Sequence, residues 1–370
     1  MQHVSESVFK GLCGIIGTSQ QVAMRREVVD LMEIVREDKN QAFEMMSGSR
    51  REGFRLPGSD IDNMYCLYKH RVIWSLGQVQ NYNVNKIALI LADCSKSLPG
   101  FNLLELLTPT DRKSVDSACI CINDRRYISS SLYRQITCSH IFPNSTEHGP
   151  CSTGNYTCTE NMEYDNAHCI SSNFWPPSAS PWIKRCNIWP EGRVLKDIVR
   201  SGCHFVAIGH KLGNYEDKEW RISFSLAEQK LVYSMNHCQF LTYGLLKLFL
   251  KEVINNELSE DDKLLCSYHM KTAVFWVLQK NTMLDPTRAQ TALNDLQFIV
   301  HLDQIVPPSA GNGDISWQIL GICQQLSGNH YGAISSFLQS IGQEPLSKIQ
   351  IATLMRIRDS LRVLRPDLFR

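Results

Sequence analysis

Apolar positions along the chain change period twice. From residue 20 to 45, QQVAMRREVVDLMEIVREDKNQAFEM places Val22, Val28, Val29, Leu31, Met32 and Val35 at helical spacing among charges. The spacing predicts one long amphipathic helix running up to Gly48-Ser49. From Asp60 the pattern becomes DIDNMYCLYKHRVIWSL, rich in Ile, Val, Tyr and Trp and partly alternating, which predicts strands. KIALILA at 86 to 92, MEYDNAHCIS at 162 to 171 and CHFVAIG at 203 to 209 predict further buried strands, and the turn-rich 139 to 160 predicts a loop. After WRISFS at 220 to 225 the period returns to helical, through NHCQFLTYGLLKLFLKEVINNEL and SYHMKTAVFWVLQK. The chain thus passes from mixed α/β to all-α near residue 215.

The tail carries a different signal. Trp317, Leu320 and Gly321, followed by Ala333, Phe337 and Pro345, match the pattern of one tetratricopeptide repeat. A single repeat cannot bury its own face, so the segment reads as a helical hairpin packed on the main body, with a peptide-binding surface as the alternative. The expected divisions are 1–215, 216–285 and 286–370.

Composition narrows the function. The formal net charge of +1 supplies no global attraction to nucleic acid. No apolar run approaches the roughly 20 residues that span a bilayer, and the N-terminus is a poor signal peptide with Glu6 early in it. The 14 cysteines are scattered with no C-x-x-C pair, so the thiols are expected to be reduced and the compartment cytoplasmic.

The chemistry lies in SGSRREGFRLPGSDIDNMY, residues 47 to 65. Residues two apart on a strand point the same way, so Asp60 and Asp62 aim both carboxylates at one spot while Ile61 packs behind. Such a pair repels itself unless a cation sits between. Gly48 and Ser49 end ten residues before Asp60, at an expected helix–strand junction where backbone N–H groups can hold phosphate oxygens. Gly-Ser, about ten residues, then Asp-apolar-Asp is the pattern of the DNA-polymerase-beta-type nucleotidyltransferases. These need a third acid from a neighbouring strand to complete the binding of two divalent cations and to take a proton from a sugar hydroxyl. Asp165 is the expected third acid, with Glu163 as runner-up and Asp93, at a strand end, weaker. His168 is expected to be structural.

SGSRREGFRLPGSDIDNM, WRISFSLAEQKLV and SYHMKTAVFWVLQK, in that order, resemble the Mab (male-abnormal twenty-one) domain proteins, a group that includes cyclic GMP-AMP synthase and the cyclic GMP-AMP synthase-like receptors. The resemblance runs to about residue 285. It implies an α+β, bilobal fold: a polymerase-beta-like nucleotidyltransferase core with a mixed sheet and long spine helix, a helical lobe, and the tetratricopeptide-like tail outside. It implies Mg²⁺ or Mn²⁺, two ions, on Asp60, Asp62 and Asp165, with Gly48 and Ser49 holding the donor triphosphate. It also implies Arg221 at a nucleotide base, Lys247 and Ser267 at phosphates, and Tyr268 stacked on a base. Tyr268 and Trp276 could equally be interior aromatics and Arg221 a buried ion pair; Lys271 carries no assigned role.

The synthase's zinc insertion has no full counterpart, since only His237, Cys238 and Cys266 stand between WRISFS and SYHMKT. Zinc is therefore not expected, and double-stranded RNA becomes a better activator than DNA. A surface for it is offered by Lys184, Arg185, Arg193, Lys196, Arg200 and Lys211 against only Glu191 and Asp197, with Lys10, Arg25 and Arg26 elsewhere. The implied function is a ligand-activated synthase making a cyclic dinucleotide from two nucleoside triphosphates such as ATP and GTP. It would act as an innate immune sensor, away from membranes and dimeric on activation. The alternatives are a catalytically silent Mab-domain module and a template-independent tailing polymerase, the latter disfavoured by WRISFS and SYHMKT.

Overall fold

The computed structural model describes residues 2–35, 42–141, 144–156, 162–255, 265–280 and 330–341, with 357, 358, 360–362 and 364. It divides into two compact units, Met1–Met270 and Lys271–Arg370. In the first, helices α1 (Gln2–Ile15) and α2 (Ser19–Val35) precede β1 (Ala42–Ser47), a single helical turn α3 (Gly48–Arg51) and the long strand β2 (Ile61–Ile73). Then follow β3 (Ala88–Asp93), β4 (Phe101–Leu106), α4 (Lys113–Ser117), the hairpin β5 (Cys119–Ile122) and β6 (Arg125–Ile128), and α5 (Ser130–Ile141). A second hairpin, β7 (Thr146–His148) and β8 (Cys151–Tyr156), leads to β9 (Met162–Ser172). Helices α6 (Ser180–Arg185) and α7 (Gly192–Ser201) precede β10 (Cys203–Val206) and β11 (Glu219–Ser223). Helices α8 (Ser225–Tyr233) and α9 (His237–Phe249) with a π-turn to Ile254 follow, and α10 (Ser267–Lys280) begins in the first unit and continues into the second.

All the described strands join one mixed sheet, ordered β1-β2-β3-β4-β11-β10-β9-β8-β7, with β6 bringing β5 onto β4. An additional parallel pairing of β2 with β9 brings the ladder back on itself. Strand alternation then separates two cores. Leu67, Val72, Ile90, Leu104, Ile170, Phe205 and Trp220 pack in the larger one. Met45, Met64, Cys66, Ala167, Cys169 and Val206 pack in the smaller, on the face of β2 and β9 that carries Asp62 and Asp165. The apolar run ALILAD makes β3 a strand buried nearly throughout, as a strand covered on both faces requires. Asn236 caps α9 by accepting from the Gln239 N–H while the Gln239 side chain accepts from the Asn236 N–H, a reciprocal capping box.

The structure corrects four expectations. The helix expected over 20–45 is described over Ser19–Val35 and does not extend to 45, since Ala42–Ser47 is a strand: AFEMMS continues a helical rhythm, but pairing with β2 from Ala42↔Leu67 to Ser47↔Asp62 overrides it. The Gly-Ser pair therefore sits where a strand enters a helical turn, the reverse of the expected order. The loop expected over 139–160 contains β7 and β8; CSTGNY has weak strand propensity and owes its order to pairing with β9. Finally, the thiols are not all reduced: Cys66 and Cys169 form a disulfide, with Cα atoms 4.9 Å apart.

Among the described residues, no helix is long and apolar enough to cross a membrane. In the second unit, α11 (His330–Ile341) buries Ala333 and Phe337, two positions of the repeat pattern. Trp317, Leu320, Gly321 and Pro345 lie outside the described residues.

Candidate active site

The site is built where β1, β2, β8 and β9 run side by side. Asp60 immediately precedes β2, Asp62 lies in it, and Asp165 stands opposite Asp62 on β9. One carboxylate oxygen from each of Asp60, Asp62 and Asp165 lies within 4.8 Å of the others, and all three residues are half-buried. Glu163, two residues before Asp165, is exposed and outside this group. Asp93 is used locally, its Oδ1 accepting the Ser95 N–H at 2.9 Å. His168 points to the opposite face of β9, where its ring stacks on Tyr65 at 5.4 Å and meets Tyr133 edge-on. Burial, with Arg112 as a lesser cause, pushes its imidazole down to about 4.

Gly48 fits against Asp62 in a way no other residue could. Its φ is +64°, in the left-handed region. A Cβ there would overlap Asp62 Oδ2 and stand 2.6 Å from Cγ. The register Ser47↔Asp62 puts the β1–α3 turn beside that carboxylate. Ser49 follows in the turn, its carbonyl accepting the Phe54 N–H at 3.1 Å.

Two groups absent from the sequence reading complete the acids' surroundings. Thr153, opposite Asp165 on β8, donates its hydroxyl to Asp165 Oδ1. The Cys151 thiol is pushed up to about 12, first by burial and then by the charges of Asp165 and Asp62, while Arg221 opposes the rise. Cys151 thus stays a neutral thiol beside the acids. The same pattern of influences puts Arg221, exposed on β11, in the electrostatic neighbourhood of the cluster.

The turn is also tied to α2. Arg51 is buried and reaches Asp30 at 2.6 Å, Glu33 at 3.1 Å and the Tyr233 hydroxyl at 2.7 Å. That hydroxyl donates in return to the Arg51 carbonyl at 2.9 Å. Arg26 donates to the Glu52 carbonyl at 2.9 Å and lies 4.3 Å over the Tyr233 ring. Arg25 donates to the carbonyls of Ile16 at 2.5 Å and Gly53 at 3.2 Å. Glu33 accepts the Met46 N–H at 2.8 Å; burial raises its carboxyl and Arg51 opposes the rise. Arg25 and Arg26 therefore hold backbone rather than stand as a free basic patch. Lys184, Arg185, Arg193, Lys196, Arg200 and Lys211 are all exposed, the first five on α6 and α7.

The remaining expected residues lie on the helices. Lys247 of α9 places its ammonium 5.1 Å from the Phe54 ring centre and 5.3 Å from that of Tyr243. Ser267 and Tyr268 open α10 and are both exposed, Tyr268 at 55%. Trp276 is 39% exposed, which makes it no interior aromatic. His237 Nε2 neighbours Cys13 Sγ at 3.6 Å and Cys266 Sγ neighbours His269 Nδ1 at 3.3 Å, so these residues have separate surroundings.

The acid cluster of β2 and β9 is thus backed by the turn that bears Gly48. A family model described as the Mab-21 protein nucleotidyltransferase domain matches residues 136–234. The match spans Asp165 and Arg221, supports the Mab-21 family, and supports nucleotidyltransferase-like chemistry.

Proposed function

We propose that this chain is a metal-dependent nucleotidyltransferase that joins two nucleoside triphosphates into a cyclic dinucleotide, releasing pyrophosphate, when an activating ligand binds. Double-stranded RNA is the proposed ligand. The observation that carries the reading is the convergence of Asp60, Asp62 and Asp165 beside Gly48. The donor set is all carboxylate oxygen, which fits Mg²⁺ or Mn²⁺ and not a thiophilic ion. Bound divalent cations would neutralise phosphate charge and lower the pKa of the attacking hydroxyl.

The chain's own residues divide the remaining work. Asp60, Asp62 and Asp165 hold the cations, and Asp165 accepts the proton of the attacking ribose hydroxyl. The Thr153 hydroxyl occupies Asp165 Oδ1 and so orients the carboxylate. Gly48 and Ser49 bring backbone against the donor triphosphate, where a side chain at 48 would intrude. Arg221 and Tyr268 meet the bases, and Ser267 and Lys247 the phosphates. Tyr268, 55% exposed, presents an accessible ring surface of the kind that bases stack on. Activation acts through α2: the Arg51–Asp30–Glu33 contacts couple any shift of that helix to the turn bearing Gly48. The exposed bases of α6 and α7 offer sequence-independent phosphate contacts to RNA.

Incubation with labelled ATP, GTP, UTP and CTP, Mg²⁺ or Mn²⁺ and duplex RNAs, followed by mass spectrometry, tests this. A cyclic dinucleotide that disappears in Asp165→Asn supports it. No product under any combination replaces it with a nucleotide-binding module that does no chemistry. Linear chains replace it with a tailing polymerase.

A further inference from the structure

The smaller core holds a second cluster of potential ligands, made of sulfur and nitrogen. Cys66 on β2 lies directly opposite Cys169 on β9, and Val206 on β10 lies opposite Cys169 on its other side. His204 is two residues from Val206 and so shares its face. One ligand atom from each of Cys66, Cys169 and His204 lies within 4.8 Å of the others. All three are buried, at 0%, 0% and 4% exposure. His204 Nδ1 is buried with no hydrogen-bond partner among the described residues. An unpartnered ring nitrogen in an apolar core is costly unless something takes its lone pair or its proton.

We propose that, once the Cys66–Cys169 disulfide is reduced, Cys66, Cys169 and His204 form a buried three-coordinate site for Cu(I). Two thiolates and an imidazole are soft to borderline donors, and thiolates and thioethers select Cu(I) where carboxylates select hard cations. Met45 and Met64 belong to the surrounding core, with Ala167 and Val206. A structural zinc takes four ligands, and no fourth Cys, His, Asp or Glu joins this group among the described residues. A dithiol reductant supplies two electrons and two protons, leaving as its own disulfide and opening the bond to two thiols. Cu(I) then displaces the two thiol protons to solvent. The resulting unit carries one negative charge, and Arg71, whose charge is felt at His204, is the nearby compensating cation. Metal and disulfide are mutually exclusive states of one pair of sulfurs. The inference does not depend on the proposed nucleotidyl transfer.

The full chain is reduced with a dithiol under anaerobic conditions, its exposed thiols (Cys94, Cys121, Cys238 and Cys266 among them) are alkylated in the native state, and it is titrated with Cu(I) held by a chromogenic chelator. One equivalent per chain is expected, and none by protein left oxidised. Cys169→Ser should weaken retention by at least roughly 100-fold, above what loss of an outer-shell group costs. X-ray absorption of the loaded wild type needs no variant to fold, and should show two sulfurs and one nitrogen around copper. No retained copper, undiminished uptake by Cys169→Ser, an all-sulfur shell, or tighter retention of Zn(II) in a parallel titration overturns the proposal.

Discussion

Asp62 and Asp165 stand directly opposite each other on parallel strands, with the Gly48 backbone pressed against the first and the Thr153 hydroxyl bonded to the second. Each acid is thus positioned by an element other than its own. Replacing either by Asn should abolish the proposed metal-dependent reaction and leave the fold intact. If metal binding supplies several kcal/mol of transition-state stabilisation, the loss is roughly 10²- to 10³-fold or more in kcat. Without metal the variants should be no less stable than wild type, because a repelling charge has gone. Denaturant melts in chelator beside turnover assays check both halves.

Gly48→Ala meets two objections at once, a positive φ and a clash with the Asp62 carboxylate. A strained φ costs about 1–3 kcal/mol, and the displaced carboxylate should lose its cation. Wild type is expected to rise in Tm on adding Mn²⁺, and the variant is not. A wild-type Mn²⁺ shift in Gly48→Ala would separate the turn from the acids.

Arg51→Met should be strongly destabilising. It removes one buried partner from contacts to Asp30, Glu33 and Tyr233. Breaking a buried pair costs about 3–5 kcal/mol, and Asp30 is half-exposed, so about 3 kcal/mol is expected by urea denaturation. A change under 1 kcal/mol would show that α2 does not hold the turn.

Tyr268→Ala tests the nucleotide reading without touching the core. The side chain is 55% exposed, so Tm should stay within about 2 °C. Loss of one base–aromatic stack, about 1–3 kcal/mol, should raise the KM for a nucleoside triphosphate by roughly fivefold or more. An unchanged KM removes Tyr268 from the site.

Stability should fall steeply in mild acid. Burial pushes His70, His168 and His204 down to about 4 each from an ordinary value near 6.5. Between those values the unfolded chain binds more protons than the folded one, so stability is complete above about pH 6.5 and declines as pH drops towards 4. Summed over three groups the loss is on the order of several kcal/mol. Urea midpoints at pH 7, 5.5 and 4.5 should decrease in that order, and a flat series would contradict it.

What the sequence made legible follows from what each element depends on. β2, β3, β9 and β10 were readable because they bury their own Val, Ile, Leu and Phe. The convergence of Asp60 and Asp62 was readable from their spacing, and that of Asp165 from its place in a well-formed strand. β1 escaped because AFEMMS imitates the helix before it, and β8 because CSTGNY has no apolar rhythm and is ordered by its neighbour. The partners of Arg51 escaped because Tyr233 is 182 residues away and only the fold brings it near. The Cys66–Cys169 pairing depends on strand register, which no cysteine spacing encodes.

The parallel pairing of β2 with β9 also has a consequence in time. Cys66 and Cys169 are 103 residues apart, and so are the paired acids. At synthesis rates of about 5–20 residues per second, Asp60 and Asp62 leave the ribosome several seconds ahead of the residue that completes them. Pairings of such long range form slowly, since the intervening chain must be gathered first. A nascent chain halted before residue 162 would therefore hold two of its three clustered acids, and the cluster would be completed late, as one event, with the seating of a single strand.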